Sequence, residues 1–413
     1  MRTAFEGPEL NAPQPAAVST ISAEPFMRAI EVRGSEALAQ HLADWDDLCR
    51  QSLEPNVFYE PWMLLPAVEA FGEGLDLRFV LIYAEDRAGG AALPVLCGLF
   101  PLERRTRYRG LPVESFTLWR HLHCFLCTPP VRAGLERETL AAFFDWLRDA
   151  PDGVALMEFG WINTDGPFYE LLAGYLEETG RASFVSDHFT RALCRPGADA
   201  DTYLAQAISK EHRRDYRRRQ NRLSEKGRLE YVALEQDADA REWLESFLTL
   251  EASGWKGREG SAFASDKAAK TFFIESMTEA FDRGRLMMLA IKLDGRFVAL
   301  KCNLMAGRGS FAFKIAYDEE YALFCPGVLL ELENIRLLHG RAEIEWMDSC
   351  AEPNHFMMNR VWTERREIID LAVSAGTKAG NLAISSFPLL RWISRKLVRP
   401  TLSILFAGLE VTG

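Results

Sequence analysis

No uninterrupted apolar run of about 18 residues occurs in this sequence, so a transmembrane helix is not expected. Histidine is scarce, with seven in 413 residues, and the eight cysteines are scattered. No second CxxC pair follows at zinc-ribbon spacing and no disulfide framework is visible, which leaves buried free thiols as the plain reading. An excess of positive charge is missing as well: 48 Lys and Arg stand against 59 Asp and Glu, a net −11. Bulk nucleic-acid binding is therefore not expected, although a local basic patch stays open. The opening MRTAFEGPELNAPQPAAVST lacks the apolar core of a signal peptide and reads as a disordered leader, residues 1–24.

What is present suffices for two cores. A chain of 413 residues with 48% hydrophobic and 26% charged residues fits two globular domains. One design recurs. RFVLIYAEDRAGGAALPVLCGLF, from Arg78, and LMMLAIKLDGRFVALKCNLMAG, from Leu286, each read as strand, turn, strand, with Ala92-Leu93 aligned to Ala299-Leu300. A helix, strand, loop and helix follow each hairpin, and Trp161 and Trp346 fall at matching strand points. The order implies an α/β (α+β) fold with a mixed sheet and flanking helices in each copy. We place the copies at 25–195 and 200–370, joined by RPGADAD, with a tail at 371–413.

Two stretches concentrate positive charge. SKEHRRDYRRRQNRLSEKGR holds nine Lys or Arg against three acids, and helical spacing puts Arg214, Arg217, Arg218 and Arg222 along one side. Lipid head groups, coenzyme phosphates and a polyanionic acceptor all suit it, as does plain solvation. The tail mixes Phe387, Leu389, Trp392 and Leu397 with Arg391 and Arg395, the composition of a helix lying on an anionic membrane or docked on the core.

HLHCFLCTPP, from His121, gathers two histidines and two cysteines. Read as a strand, it puts His121, His123 and Phe125 on one face and Cys124 on the other, a poor metal geometry. The histidines suit a cleft between the copies or a buried structural pair. In GSFAFKIAYDEE, alternation puts Phe311, Phe313, Ile315 and Tyr317 on one face and Ala312, Lys314, Ala316 and Asp318 on the other.

From Ile208 the chain reads ISKEHRRDYRRRQNRLSEKGRLEYVAL, then EASGWKGREGSAFAS, KLDGRFVALKCNLMAG and FKIAYDEEYALFCPGVLLELENI. This series resembles the acetyltransferase-like family first recognised around cellulose-biosynthesis proteins of the CelD/BcsL type. That family lies within the GNAT superfamily and is related to the FemABX peptidyltransferases. The resemblance is strongest from Ile208 to Arg366; FYEPW, Phe58 to Trp62, and HLHCF fit more loosely. MDSCAEPNHFMMNRVWTERR departs from the family's Gly-x-x-Tyr-Lys-x-x-Trp ending, which points to a subgroup with another acceptor, such as a ceramide-synthase-like one.

The resemblance implies tandem GNAT-like domains and transfer of an acyl group from acyl-CoA to a primary amine, without a metal. The donor's phosphates are expected at the helix entrance Cys325, Pro326, Gly327 and Val328, with Lys314 nearby. That entrance lacks the family's further glycines and its basic residue. A strand-end Asp348 with His355, or His121 and His123, would supply the base. Trp255, Lys256, Tyr317 and Asp318 would meet the acceptor. Expected partners are acyl-CoA, an amine-bearing lipid or exopolysaccharide sugar, and the inner face of the membrane, with the protein cytoplasmic and peripheral. An aminoacyl-tRNA-dependent transferase and a non-catalytic scaffold are the alternatives.

Overall fold

The computed structural model describes residues 25–85, 94–150, 153–197 and 199–389. The leader, Ala92-Leu93 and tail residues 390–413 lie outside the described residues.

The first half runs β1 (Phe26–Val32), α1 (Ser35–Ala39), α2 (Leu42–Arg50), α3 (Pro61–Phe71), β2 (Leu77–Glu85), β3 (Val95–Arg105), β4 (Ser115–Leu118), α4 (Glu136–Asp149), β5 (Leu156–Asn163), α5 (Pro167–Glu178) and β6 (Ser183–Cys194). Two helices follow, α6 (Ala200–Ala207) and α7 (Lys210–Ser224). The second half repeats the order: β7 (Leu229–Ala233), α8 (Ala240–Ser253), α9 (Trp255–Arg258), α10 (Lys267–Asp282), β8 (Leu286–Leu293), β9 (Arg296–Ala306), β10 (Gly309–Tyr317), α11 (Pro326–His339), β11 (Trp346–Asp348), α12 (Met358–Val361) and β12 (Glu364–Ser374). β12 thus ends four residues past the expected boundary at 370. Residues 378–389 form a helix whose Phe387 stacks on Tyr108, so the start of the tail is docked on the core.

Local chemistry sets these boundaries. Ser209 caps α7, accepting the His212 N–H, and Asp266 caps α10 through the Ala269 N–H. Proline opens α3, α5 and α11, where a missing N–H costs nothing. β2 is buried through Ala84, which fits a continuous apolar run rather than an alternating one.

All twelve strands form one sheet, in the order β1-β2-β3-β4-β5-β12-β6-β11-β10-β9-β8-β7. Each half gives its last strand to the other: β6 pairs with β11, β12 pairs with β5, and β6 and β12 pair along the middle. The repeat is therefore real, and its halves are joined by exchanged strands rather than by the linker alone. In each half a parallel pair forms where a helix crosses over, β4 with β5 and β10 with β11. These pairs are short. β10 meets β11 only from Gly309 to Phe311, then runs on to Tyr317 while β11 stops at Asp348. Beyond Phe311 the two strands are no longer paired. By the same register, Trp346 lies opposite the start of its strand's partner, whereas Trp161 sits past the end of the β4–β5 pairing, so the two tryptophans do not match.

Aromatic side chains close the seam. Phe58, fully buried, packs edge-on to Phe125 at 5.7 Å and to Phe311 of β10 at 5.3 Å.

Candidate active site

The site begins with a bulge. On β9, Leu304 and Cys302 are two residues apart; their partners on β10, Phe311 and Lys314, are three apart. One extra residue shifts the side-chain parity. Lys314 therefore shares a face with Phe311, Phe313 and Cys302, while Ala312, Ile315 and Tyr317 pack toward α11. This corrects the simple alternation expected from sequence, which put Lys314 with Ala312.

The Lys314 ammonium lies over three rings: Phe125 at 5.0 Å, Phe263 at 5.2 Å and Phe313 at 5.4 Å from their centroids. No carboxylate pairs with it among the described residues. Aromatic faces attract a cation, yet they replace little of its lost hydration. Burial, reinforced by the charge of Lys256, brings the Lys314 amine down to about 8. Lys256 itself is held by the buried Glu251 at 2.8 Å, and the second Glu251 oxygen accepts the Phe263 N–H at 2.9 Å. Trp255, beside it, is half exposed.

The HLHCFLCTPP segment supplies the opposite wall. It is not a strand but an irregular loop after β4, with a turn closed by the Cys124 N–H and the His121 carbonyl at 3.0 Å. β4 pairs with β5 only through Thr117, so the chain beyond has no ladder to join. Both histidines turn inward. His123 lies 4.2 Å from Phe263, and His121 stacks on Phe71 at 5.0 Å. Burial, then the charges of Arg120 and Lys314, lowers His121 to about 3; burial, then Lys314, lowers His123 to about 2. His121 Nε2 and His123 Nδ1 are buried without a partner among the described residues. Cys124 and Cys127 bring their sulfurs to 3.8 Å as free thiols. Among the described residues no cluster has the makings of a metal site.

Asp348 stands elsewhere than expected. Its carboxylate is fully buried against Arg191, with Oδ1 2.7 Å from Nε and Oδ2 accepting from Nη2 at 2.8 Å. Arg366 adds a bond at 3.1 Å and the Cys350 N–H another at 2.9 Å. Burial alone would raise its pKa, but the two guanidiniums prevail and hold it below the usual range. Asp348 thus ties β6, β11 and β12 together. The expected Asp348–His355 pair does not form. His355 is half-buried on the α11 side, its Nδ1 accepting the Met358 N–H at 3.3 Å, and burial and Lys301 lower its pKa.

The helix entrance is where the sequence placed it. Cys325 adopts a left-handed backbone, φ 54°, and Pro326 opens α11. The Val328 and Leu329 N–H groups both bond to the Cys325 carbonyl. A Cβ on Gly327 would meet Tyr317 at an ordinary 3.5 Å, so packing does not demand glycine there. Asp318, expected at the acceptor, caps the following turn through the Glu320 N–H at 3.0 Å. A basic side chain reaches this entrance from α7: Arg219 donates to the Leu323 carbonyl at 2.5 Å and pairs with Asp215 of its own helix at 2.7 Å. Sequence reading missed Phe263, Glu251 and Arg219, because nothing local links residues so far apart in the chain.

Residues 210–356 match the family model described as an acetyltransferase (GNAT) domain. No curated protein sequence matches the chain. Among solved structures, the crystal structure of FemX is similar at 11% identity and a TM-score of 0.52, over 84% of this chain and 96% of that one. The C-terminal domain (DUF2156) of a putative lysylphosphatidylglycerol synthetase from Agrobacterium fabrum is similar at 13% identity, with a TM-score of 0.47 over 86% and 96%. A tandem GNAT protein from the clavulanic acid biosynthesis pathway shows 13% identity and a TM-score of 0.41, over 86% and 100%. At such identities the likeness to FemX is one of fold. Residues 210–356 thus resemble an acetyltransferase (GNAT) domain, and both the α11 entrance and Lys314 fall inside the matched stretch.

Proposed function

We propose that this protein is an acyl-CoA-dependent N-acyltransferase of the CelD/BcsL-like kind, which forms an amide on a primary amine of a cell-envelope building block. The observation that carries the reading is Lys314, an unpaired ammonium where β10 and β11 part, facing His123 across a phenylalanine cage. Acyl transfer builds negative charge on the carbonyl oxygen and then on the leaving sulfur. A cation held in a poorly hydrated pocket stabilises both.

The donor's phosphates rest at Cys325–Val328, beside Arg219, whose charge is shared with Asp215 of α7, and the thioester reaches between β10 and β11 toward Lys314. The acceptor amine attacks the carbonyl carbon, the C–S bond breaks, and the Lys314 ammonium gives its proton to the sulfur. The resulting neutral amine takes the proton released by the new amide nitrogen, so the cycle closes without net change on the enzyme. An amine near 8 is well matched to both transfers at neutral pH. His123 and His121 are too weakly basic to act as the expected bases. Their unpartnered nitrogens instead accept hydrogen bonds from the incoming amine and orient it. Trp255 and Lys256 border the acceptor's path. Asp348 and His355 have no part in the chemistry.

The favoured acceptor is a long-chain amino lipid of the sphingoid type, with an exopolysaccharide amino sugar as the other member of the same reaction class. The basic α7 and the mixed basic and apolar tail support a lipid, and peripheral work at the cytoplasmic face of the membrane. No helix among the described residues is long and apolar enough to cross a membrane. The test is thiol release from acetyl-CoA and palmitoyl-CoA with glucosamine or sphinganine as acceptor. Turnover of the long-chain pair is the expected result. Turnover of acetyl-CoA with the sugar alone moves the acceptor to glycans, and no turnover with any pair overturns the acyl-CoA reading.

A further inference from the structure

The rim of the α11 entrance carries a feature that acyl transfer does not use. α7 packs on the 3₁₀ turn Glu319–Phe324 that leads into α11, held by Arg219 and the Leu323 carbonyl. Arg214, Arg217 and Arg222 are exposed on that face and make no ion pair among the described residues. On the turn that α7 packs against, Leu323 is 80% exposed, an unusual cost for a large aliphatic side chain. The other end of the same turn is tied to α9: Glu319 accepts the Trp255 N–H at 2.7 Å and pairs with Arg258 at 2.8 Å. Trp255, 48% exposed, thus adds an aromatic side chain at the other end of the same turn, so that α7, the turn and α9 each expose part of one rim.

We infer that this rim is a docking surface for an anionic lipid bilayer, seating the mouth of the acyl-donor cleft against the membrane. This deepens the proposed function and rests on its placement of the cleft. Charge selects the class of partner: a concentrated cationic face on a chain of net −11 seeks a dense anionic surface. The apolar members select the lipid source. Tryptophan and leucine beside arginine match the boundary where head groups meet acyl chains. A nucleic-acid backbone offers the arginines partners but gives Leu323 none.

The experiment is co-sedimentation of the full chain with phosphatidylcholine vesicles, with and without phosphatidylglycerol. Binding is expected only with phosphatidylglycerol and falls as salt rises. The triple variant R214Q/R217Q/R222Q should lower that partitioning about a hundredfold, at roughly one kcal/mol per basic side chain near the surface. Leu323→Ser should lower it several-fold at high salt as well as low. All four positions are exposed, so melting temperatures should not move. Wild-type chain that ignores phosphatidylglycerol, or a triple variant that binds as tightly as wild type, overturns the proposal. So does loss of bulk tRNA binding in the triple variant with vesicle binding intact. Thiol release with water-soluble acceptors should be unchanged in the triple variant, and its failure in wild type would strike the acyltransferase reading, not this one.

Discussion

Two lysines occupy neighbouring strands of the second half, and the sheet turns them to opposite faces. Lys301 of β9 points toward α11 and lies 2.9 Å from Glu331; both are essentially without solvent. Glu331 also accepts from Trp362 at 3.0 Å and from Asn334 at 2.9 Å. Lys314 of β10 points the other way and meets three phenylalanine rings and no carboxylate. Both residues are lysines in apolar strands, and sequence marks them equally. The difference is what the opposite face supplies. A buried cation given a hydrogen-bonded counter-ion is part of the framework. One given only aromatic faces stays available for charge that appears during reaction.

The comparison breaks most sharply by removing each lysine. Lys301→Met strands the Glu331 carboxylate, and the expected loss is about 3–5 kcal/mol of stability in a denaturant titration. The double variant Lys301→Met/Glu331→Leu should recover most of it. A single variant that melts like wild type would show that the pair carries no structural weight. Lys314→Met should do the reverse. Its rate of acyl transfer should fall about 10²–10³-fold, the range for losing one charge-stabilising donor. Its stability at neutral pH should rise, because a half-buried ammonium with no counter-ion among the described residues is gone. Lys314 releases its proton more readily folded than unfolded, so native stability should climb as pH rises from about 8 toward the ordinary lysine value. The variant should lack that climb. The histidines sharpen the same contrast at smaller scale: His123→Ala should cost about tenfold or more in kcat/KM, and His355→Ala, on the Lys301 face, no more than a few-fold.

Much of the framework was legible. The repeated order of hairpin, strand and helix gave the tandem architecture, and GSFAFKIAYDEE followed by a Pro-Gly entrance gave β10 and α11, although β10 stops at Tyr317 and Asp318 caps a 3₁₀ turn instead of extending it. The site was less so, for reasons that lie in pairing. The bulge that brings Lys314 to the phenylalanine face depends on its register against β9, which alternation along one strand cannot reveal. Asp348 looked free because its partners, Arg191 and Arg366, arrive on strands exchanged between the halves. HLHCF read as a strand by composition, yet β5 offers it no ladder beyond Thr117. Arg219 reached the turn before α11 from a helix that the sequence marked only as basic.

The smallest effect tests the electrostatics most directly. Lys256 lowers the Lys314 amine, whereas Glu251 raises it, and the two are themselves paired. If protonated Lys314 assists the leaving group, kcat should fall as pH rises through about 8. Lys256→Met removes a like charge and leaves Glu251 unshared, so both changes raise Lys314, and the alkaline limb should move up by roughly half a unit to one unit. Glu251→Gln removes the opposing carboxylate and should move the limb down by a similar amount. The opposite signs are the content of the test, since a general disturbance of the cleft would shift both variants the same way. Equal or absent shifts in full pH–rate profiles would separate the limb from Lys314 and return the proton transfer to another group.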